Sequence, residues 1–265
     1  MTPERESHLC TLYESLRDLT DGQLGWVQIV VEQFHKPASF QRSPDSDLIN
    51  DCVLQDFGDA LRIHHCFSRE AFTKDKFEYA FERVLNLCEI PATLAPRGNP
   101  GQDITIRGVP FSLKTQANKG ISHRSLHISK FMELGKGTWT DQADDFRGLR
   151  EQFFRHLESY DRILSLRRLR RTRTYTWHYE MVEIPKNLLL ESRNGVLRIM
   201  HQSRQSPKPA CYDVTDSSGD SKFQLYFDAG GERKLQIKRL KKAYCLVHAE
   251  WRFETSLSQT DSLLT

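Results

Sequence analysis

A chain of 265 residues is long enough for one substantial core, with room for an attached subdomain. Its 38% hydrophobic and 28% charged residues are ordinary for a globular protein, and a net charge of +3 does not by itself argue for nucleic acid. It holds no apolar run of about 18 residues, and MTPERESHLC has no apolar core. The expectation is therefore a cytoplasmic protein, neither secreted nor membrane-spanning.

From the N-terminus, Leu9, Leu12, Tyr13, Leu16 and Leu19 recur at helical spacing. Gly22 to Gly25 break the run before WVQIVVEQF, so residues 3–35 read as helical in two segments. Residues 36–50 (KPASFQRSPDSDLIN) are turn-rich and read as a solvated surface loop. Residues 51–67 suit a helix or a strand. Within them His64-His65-Cys66 is no zinc signal, because adjacent side chains diverge and no second ligand group stands at a matching spacing. The six cysteines are scattered without a CxxC pair and read as reduced thiols.

Residues 70–88 give the clearest helix, with Phe77, Phe81, Val84, Leu85 and Cys88 in one apolar stripe and Glu78 and Glu82 together on its flank. The segment 98–119 (GNPGQDITIRGVPFSLKTQANK) reads as a hairpin. Ile104–Ile106 is one strand, Arg107-Gly108 the turn and Val109–Lys114 the other strand. Alternation points Ser112 and Lys114 to one face and Leu113 to the other, and pairing brings Asp103 towards the Ser/Lys face. Ser125–Met132 then reads as a third strand or the start of a helix, with Glu133 behind it.

Residues 141–171 read as a second long helical region, apolar at Phe146, Leu149, Phe153, Leu157, Tyr160 and Leu164, acidic at its start and basic at its end. Six arginines and no acidic residue fall between Arg162 and Arg173, followed by Tyr175, Trp177, His178 and Tyr179. Guanidinium groups bunched beside aromatics suit phosphate or base contacts, which makes Arg168, Arg171 and Arg173 candidates. The C-terminal third is strand-rich, with a hairpin at Ala229-Gly230-Gly231 whose second strand carries Lys234, Gln236 and Lys238 on one face. The loop 201–208 adds Arg204, Gln205 and Lys208, side chains of the kind that read guanine and adenine edges. Gln116 and Lys119 extend the Lys114 strand with polar donors, and the tail after Phe253 is polar.

An acidic residue, a small polar residue and a lysine converging on a sheet edge suit metal-dependent phosphodiester hydrolysis. At these residues the chain resembles the PD-(D/E)xK nuclease superfamily, and within it the type II restriction endonucleases. The family pattern, an Asp opening one strand and an acidic-x-Lys on the next, stands here as Pro100-Gly101-Gln102-Asp103 followed by Ser112-Leu113-Lys114. The Pro does not directly precede the Asp, and Ser112 occupies the usual acidic position. Some restriction enzymes with Ser-x-Lys recover the missing carboxylate from a nearby helix.

The resemblance covers about residues 70–135 in motif order. It implies an α/β fold with a mixed central sheet flanked by helices, a restriction-endonuclease-like core with a β-rich C-terminal part. It further implies that Asp103 and a second carboxylate (Glu78 first, then Glu82 or Glu133) hold Mg²⁺, with the Leu113 carbonyl as a further ligand. Lys114 would position or activate the attacking water, and Ser112 would bond the water shell or the phosphate. The expected product is a double-strand cut with 5′-phosphates, the expected assembly a homodimer on double-stranded DNA, and the expected genetic companion a DNA methyltransferase. By region, residues 1–69 form an N-terminal helical part, 70–140 the catalytic core and 141–265 a helix plus strand-rich DNA-contacting part continuous with it. The alternatives are a repair-type nicking nuclease or a non-catalytic DNA-binding protein. No Gly-rich phosphate loop, GxSxG, HExxH or dinucleotide fingerprint occurs, which disfavours nucleotide hydrolysis and Rossmann chemistry.

Overall fold

The structure, a computed structural model, describes residues 2–96, 98–99, 101–117, 121–135, 139–169 and 176–255. Two helices open it, α1 (Pro3–Arg17) and α2 (Asp21–Phe34), the second started by a Thr20–Gln23 capping box. The stretch read as a loop instead holds β1 (Ala38–Arg42), antiparallel to β12 (Leu246–Phe253) with Ala38 opposite Phe253. Its partner comes from the far end of the described chain, so tertiary pairing overrides the local turn composition.

Helices α3 (Asp51–Phe67) and α4 (Lys74–Leu87) follow, each with a polar N-cap, Asn50 and Thr73. Next come β2 (Ala92–Leu94), β3 (Ile104–Ile106), β4 (Val109–Gln116) and β5 (Ser125–Glu133), which settles Ser125–Met132 as a strand. The expected long helix over 141–171 is two elements, α5 (Ala143–Leu157) and β6 (Arg162–Arg168). Strand β6 is buried on both faces, as a central strand must be, and Leu164 falls at helical spacing from α5 by coincidence. The remainder is β7 (Trp177–Glu183), α6 (Lys186–Leu190), β8 (Val196–Ile199), β9 (Ala210–Thr215), β10 (Ser221–Asp228) and β11 (Lys234–Lys241).

These strands make two sheets. One is mixed and seven-stranded, in the order β1-β12-β7-β6-β4-β3-β2, with β4 and β6 parallel. The other is antiparallel and five-stranded, β5-β11-β10-β9-β8. One core, including Phe57, Phe77, Phe81, Phe111, Leu113 and Trp251, lies between the larger sheet and α3 with α4. A second, including Phe146, Phe153, Ile163, Val182, Phe223 and Leu235, joins the opposite face of that sheet to α5 and the smaller sheet. The fold is thus mixed α/β with a β-rich C-terminal part, as expected. Among the described residues no helix is long and apolar enough to cross a membrane.

The cysteine reading needs one correction. Packing of α3 on α4 brings Cys52 and Cys88 to a Cα separation of 5.8 Å, and they form a disulfide. The pair is 36 residues apart in sequence, so spacing carried no sign of it. Cys10, Cys66, Cys211 and Cys245 are free thiols.

Candidate active site

The hairpin of β3 and β4 turns through Arg107 (φ 49°) and Gly108 (φ 81°), two consecutive positive-φ residues as a type I′ turn requires. Ile104 pairs with Phe111, and the Asp103 N–H donates to the Phe111 carbonyl at 2.9 Å. Strand β3 starts only at Ile104, whereas β4 runs on to Gln116. The Asp103 carboxylate fills the place of the missing strand neighbour. Its Oδ2 accepts from the Leu113 N–H at 2.6 Å and from the Ser112 hydroxyl at 3.0 Å. Leu113 points into the core beneath α3 and α4, while Ser112 and Lys114 face the other way. A strand residue directs its N–H and C=O to the same side, so the Leu113 carbonyl faces the Asp103 edge.

Helix α4 supplies the second carboxylate. Lys74 and Glu78 lie one turn apart and therefore on one face. The Lys74 ammonium stands 2.7 Å from Asp103 Oδ1 and 3.2 Å from Glu78 Oε1. Burial disfavours that ammonium, but its bond to Asp103 and the charges of Asp103 and Glu78 outweigh the cost and raise its pKa. Burial raises the Glu78 pKa, Lys74 opposes this and the Asp103 charge reinforces it. Asp103 and Glu78 thus turn hard carboxylate oxygens, the donor type that divalent ions take, towards one point now held by Lys74.

The other two acidic candidates stand apart. Glu82 accepts from the Leu94 N–H at 2.9 Å and ties β2 to α4. Glu133 is exposed, pairs with Lys130 at 2.7 Å and borders the cleft at its rim.

Lys114 is only 8% exposed, and its ammonium lies 5.3 Å from the centre of the Phe131 ring. Burial drives its pKa down to about 8, with Lys74 adding repulsion and Asp103 and Glu78 pulling the other way. The cleft of about 690 Å³ over Asp103 and Lys114 is closed on one side by the C-terminal end of α5. From there His156 enters the cleft, and Tyr160, fully buried just after α5, packs behind Gly101; neither is a site residue in the reading of the sequence. His156 Nε2 and the Tyr160 hydroxyl are buried and find no hydrogen-bond partner among the described residues. Burial and the Lys114 charge push the His156 pKa down to about 4, so the imidazole is neutral. Gly101, at φ +98°, passes so close that a Cβ there would meet Ser159 Oγ at 2.4 Å and His156 Cε1 at 3.1 Å.

The candidate DNA contacts divide. Gln116 is buried, and its Oε1 accepts from Arg167 Nε at 2.8 Å, so it serves the interior. Arg167 is itself fully buried. It pairs with Glu180 and donates to the Ser122 and Ser125 carbonyls at 2.7 and 2.8 Å. Arg162 is partly buried and engaged within the chain, bound to Asp47 and Glu183. The Arg168 guanidinium lies 4.9 Å over the Trp177 ring. Lys119, Arg171, Arg173 and the tail from 256 onwards lie outside the described residues.

Arg204 is exposed on its loop, Gln205 reaches Asp228 at 3.4 Å and Lys208 donates to the Ser203 carbonyl at 2.7 Å. Lys234 pairs with Glu232 at 3.3 Å, and Lys238 lies 3.1 Å over the Tyr226 ring. A second cleft of about 670 Å³, lined by Ser206 and the turn 229–233, adjoins the first, because Glu133 borders both.

Comparison with known proteins shows the family. The family model for SmaI, a type II site-specific deoxyribonuclease, matches residues 12–253. The chain is similar to the type II restriction enzyme SmaI of Serratia marcescens, at 44% identity over 251 residues that cover 94% of this chain and 97% of that one. No solved structure matches. A likeness of that extent and identity settles the family: the chain belongs to the SmaI type II site-specific deoxyribonucleases and is a sequence-specific restriction endonuclease that hydrolyses DNA.

Proposed function

We propose that the chain cuts double-stranded DNA by Mg²⁺-dependent hydrolysis leaving 5′-phosphates, each copy of a homodimer cutting one strand. The observation that carries this reading is the Lys74 ammonium held between Asp103 and Glu78 beside the buried Lys114. Asp103 and Glu78 are the carboxylates that hold the ion, with the Leu113 carbonyl on the same edge. When bound, Mg²⁺ supplies Lewis-acid polarisation and acidifies water. Ser112, in the usual acidic position, keeps Asp103 oriented through their 3.0 Å hydrogen bond.

Released from the carboxylates, Lys74 is free to pair with a phosphate oxygen. Lys114, with a pKa of about 8, has a neutral fraction able to take a proton from the attacking water. His156 Nε2 finds its missing partner in that water or in the phosphate. Glu82 and Glu133 rank behind Glu78, since each is engaged elsewhere.

The duplex runs from this cleft past Glu133 towards the 229–233 turn, where Arg204, Gln205, Lys208, Lys234 and Lys238 contact it. Arg168 and the segment carrying Arg171 and Arg173 supply further phosphate contacts, as does Lys119. A nuclease of this kind works in the cytoplasm beside a methyltransferase that protects the host's own sites.

The test is cleavage by Asp103→Asn and Glu78→Gln variants. Each is expected to lose at least about 100-fold in rate while still shifting DNA in Ca²⁺. Wild-type fragments are expected to need Mg²⁺ and to religate without added kinase. Undiminished cleavage by Glu78→Gln would transfer its role to Glu133, and cleavage that survives EDTA would overturn the metal reading.

A further inference from the structure

Three side chains of α5, Gln152, Arg155 and His156, line the cleft over Asp103 and Lys114. Spacings of three and four put them on one face of the helix. Arg155 is exposed, and it has an acidic residue at each ion-pairing spacing of a helix, Glu151 before it and Glu158 after it. It pairs with neither, and no other described residue takes up its guanidinium. The other arginines of the helix are engaged. Arg147 pairs with Asp144, and Arg150 donates to the Arg193 carbonyl at 2.8 Å.

Without Arg155 this wall of the cleft would repel a phosphate. The last carbonyls of a helix carry the negative end of its dipole, and that end of α5 meets the cleft. Gln152 and Ser159 have no charge and His156 is neutral, so Arg155 is the one cation that the described residues of α5 bring to the cleft. Lys74, Asp103 and Lys114 line the same cleft. The charges that act on Lys114 are those of Asp103, Lys74 and Glu78, so Arg155 stands back from that group.

We propose that Arg155 is a substrate-positioning residue whose guanidinium binds a backbone phosphate next to the scissile one on the strand being cut. The assignment rests on the reading of Asp103, Glu78 and Lys114 given above and adds a second wall to it. A cleft of about 690 Å³ takes a short run of one strand's backbone, not a whole duplex. Held at Asp103 and Glu78 through the ion, and at Arg155 one phosphate away, the strand presents its scissile bond to Lys114. The guanidinium fork fits two oxygens of one phosphate, which fixes the strand's position as well as balancing its charge. A phosphate contact carries no sequence information, so this wall grips any duplex, and the choice of site is made elsewhere.

The test is binding in Ca²⁺, over a range of salt, of a short duplex spanning one cleavage site mapped with the wild type on phage DNA, and of a duplex lacking the site. Arg155→Ala is expected to weaken binding of both duplexes about 10-fold and to lower the salt slope by about one. Its KM should rise by a similar factor, while single-turnover cleavage in Mg²⁺ with all the DNA bound stays within about threefold of wild type. Arg155→Lys should keep the salt slope and recover part of the affinity. A lower melting temperature with binding and salt slope unchanged would make Arg155 only a complement to the helix dipole and overturn the proposal. So would a loss confined to the duplex that holds the site, which would make Arg155 a reader of bases, or a rate loss of about 100-fold at unchanged affinity, which would move it onto the reacting phosphate. Asp103→Asn, run alongside, should bind both duplexes and cut neither. Undiminished cleavage by that variant would overturn the reading of the ion site on which the proposal rests, whatever Arg155 does.

Discussion

Asp103 owes its orientation to an interruption in the ladder. Because β3 starts one residue later, the Leu113 N–H turns to the Asp103 carboxylate, and Ser112 then bonds the same oxygen. This much was legible from alternation and the turn residues, and Glu78 from its place on the flank of the apolar stripe. The resemblance placed Glu78 before Glu82 and Glu133, but what sets them apart, their partners in space (Lys74, the Leu94 N–H and Lys130), is not written in the sequence. Lys74 could have been found as the residue one turn before Glu78, since i, i+4 positions share a helix face. His156 could not. It reaches the site only because α5 packs across the cleft from β4, a relation that no sequence spacing encodes. If His156 Nε2 bonds the reacting water or phosphate, His156→Ala should lower kcat about 10–100-fold and change KM little. A rise in KM alone would make it a DNA-binding residue instead.

At the level of elements, the largest departure from the sequence reading concerns the arginine run. In a run from Arg162 to Arg173 that holds no acidic residue and leads into aromatics, Arg162 and Arg167 resemble a solvated basic stripe. In β6 they sit between strands whose carboxylates come from elsewhere in the chain, and those acids neutralise them. The Arg162 cluster joins three strands and the loop before α3. Arg162 binds Glu183 of β7 at 2.9 Å and both oxygens of Asp47 at 2.8 Å, and His248 of β12 bonds Glu183 at 2.8 Å. Burial alone would raise the Glu183 pKa, but the bonds from His248 and Arg162 outweigh it and lower it; Arg162 lowers that of Asp47.

Both carboxylates thus titrate lower in the folded than in the unfolded state. Their contribution is complete above the unfolded values of about 4 and is lost as pH falls through the folded ones. Arg162→Ala should therefore cost about 2–3 kcal/mol at neutral pH, most of it through Glu183, because Asp47 is largely exposed. Urea unfolding should show the gap from wild type narrowing below about pH 4. A gap constant with pH would contradict this account of the cluster.

On the scale of the whole molecule, the larger sheet divides two cores, and the β3–β4 hairpin lies near one edge of that sheet. Its outer strand β2 is held by α4, which also carries Glu78. The fold class was legible because helical stripes and alternating strands are local patterns. The pairing of β1 with β12 and the Cys52–Cys88 bond were not, because each joins segments distant in sequence. The central claim is that this edge hydrolyses DNA at defined sequences through Lys114. The most direct test is digestion of unmethylated phage DNA with Mg²⁺ by the wild type and by Lys114→Ala. Discrete fragments from the wild type, and intact DNA still bound by the variant, are the predicted result. The same fragments from Lys114→Ala at an undiminished rate would contradict the account and place the chemistry elsewhere in the chain.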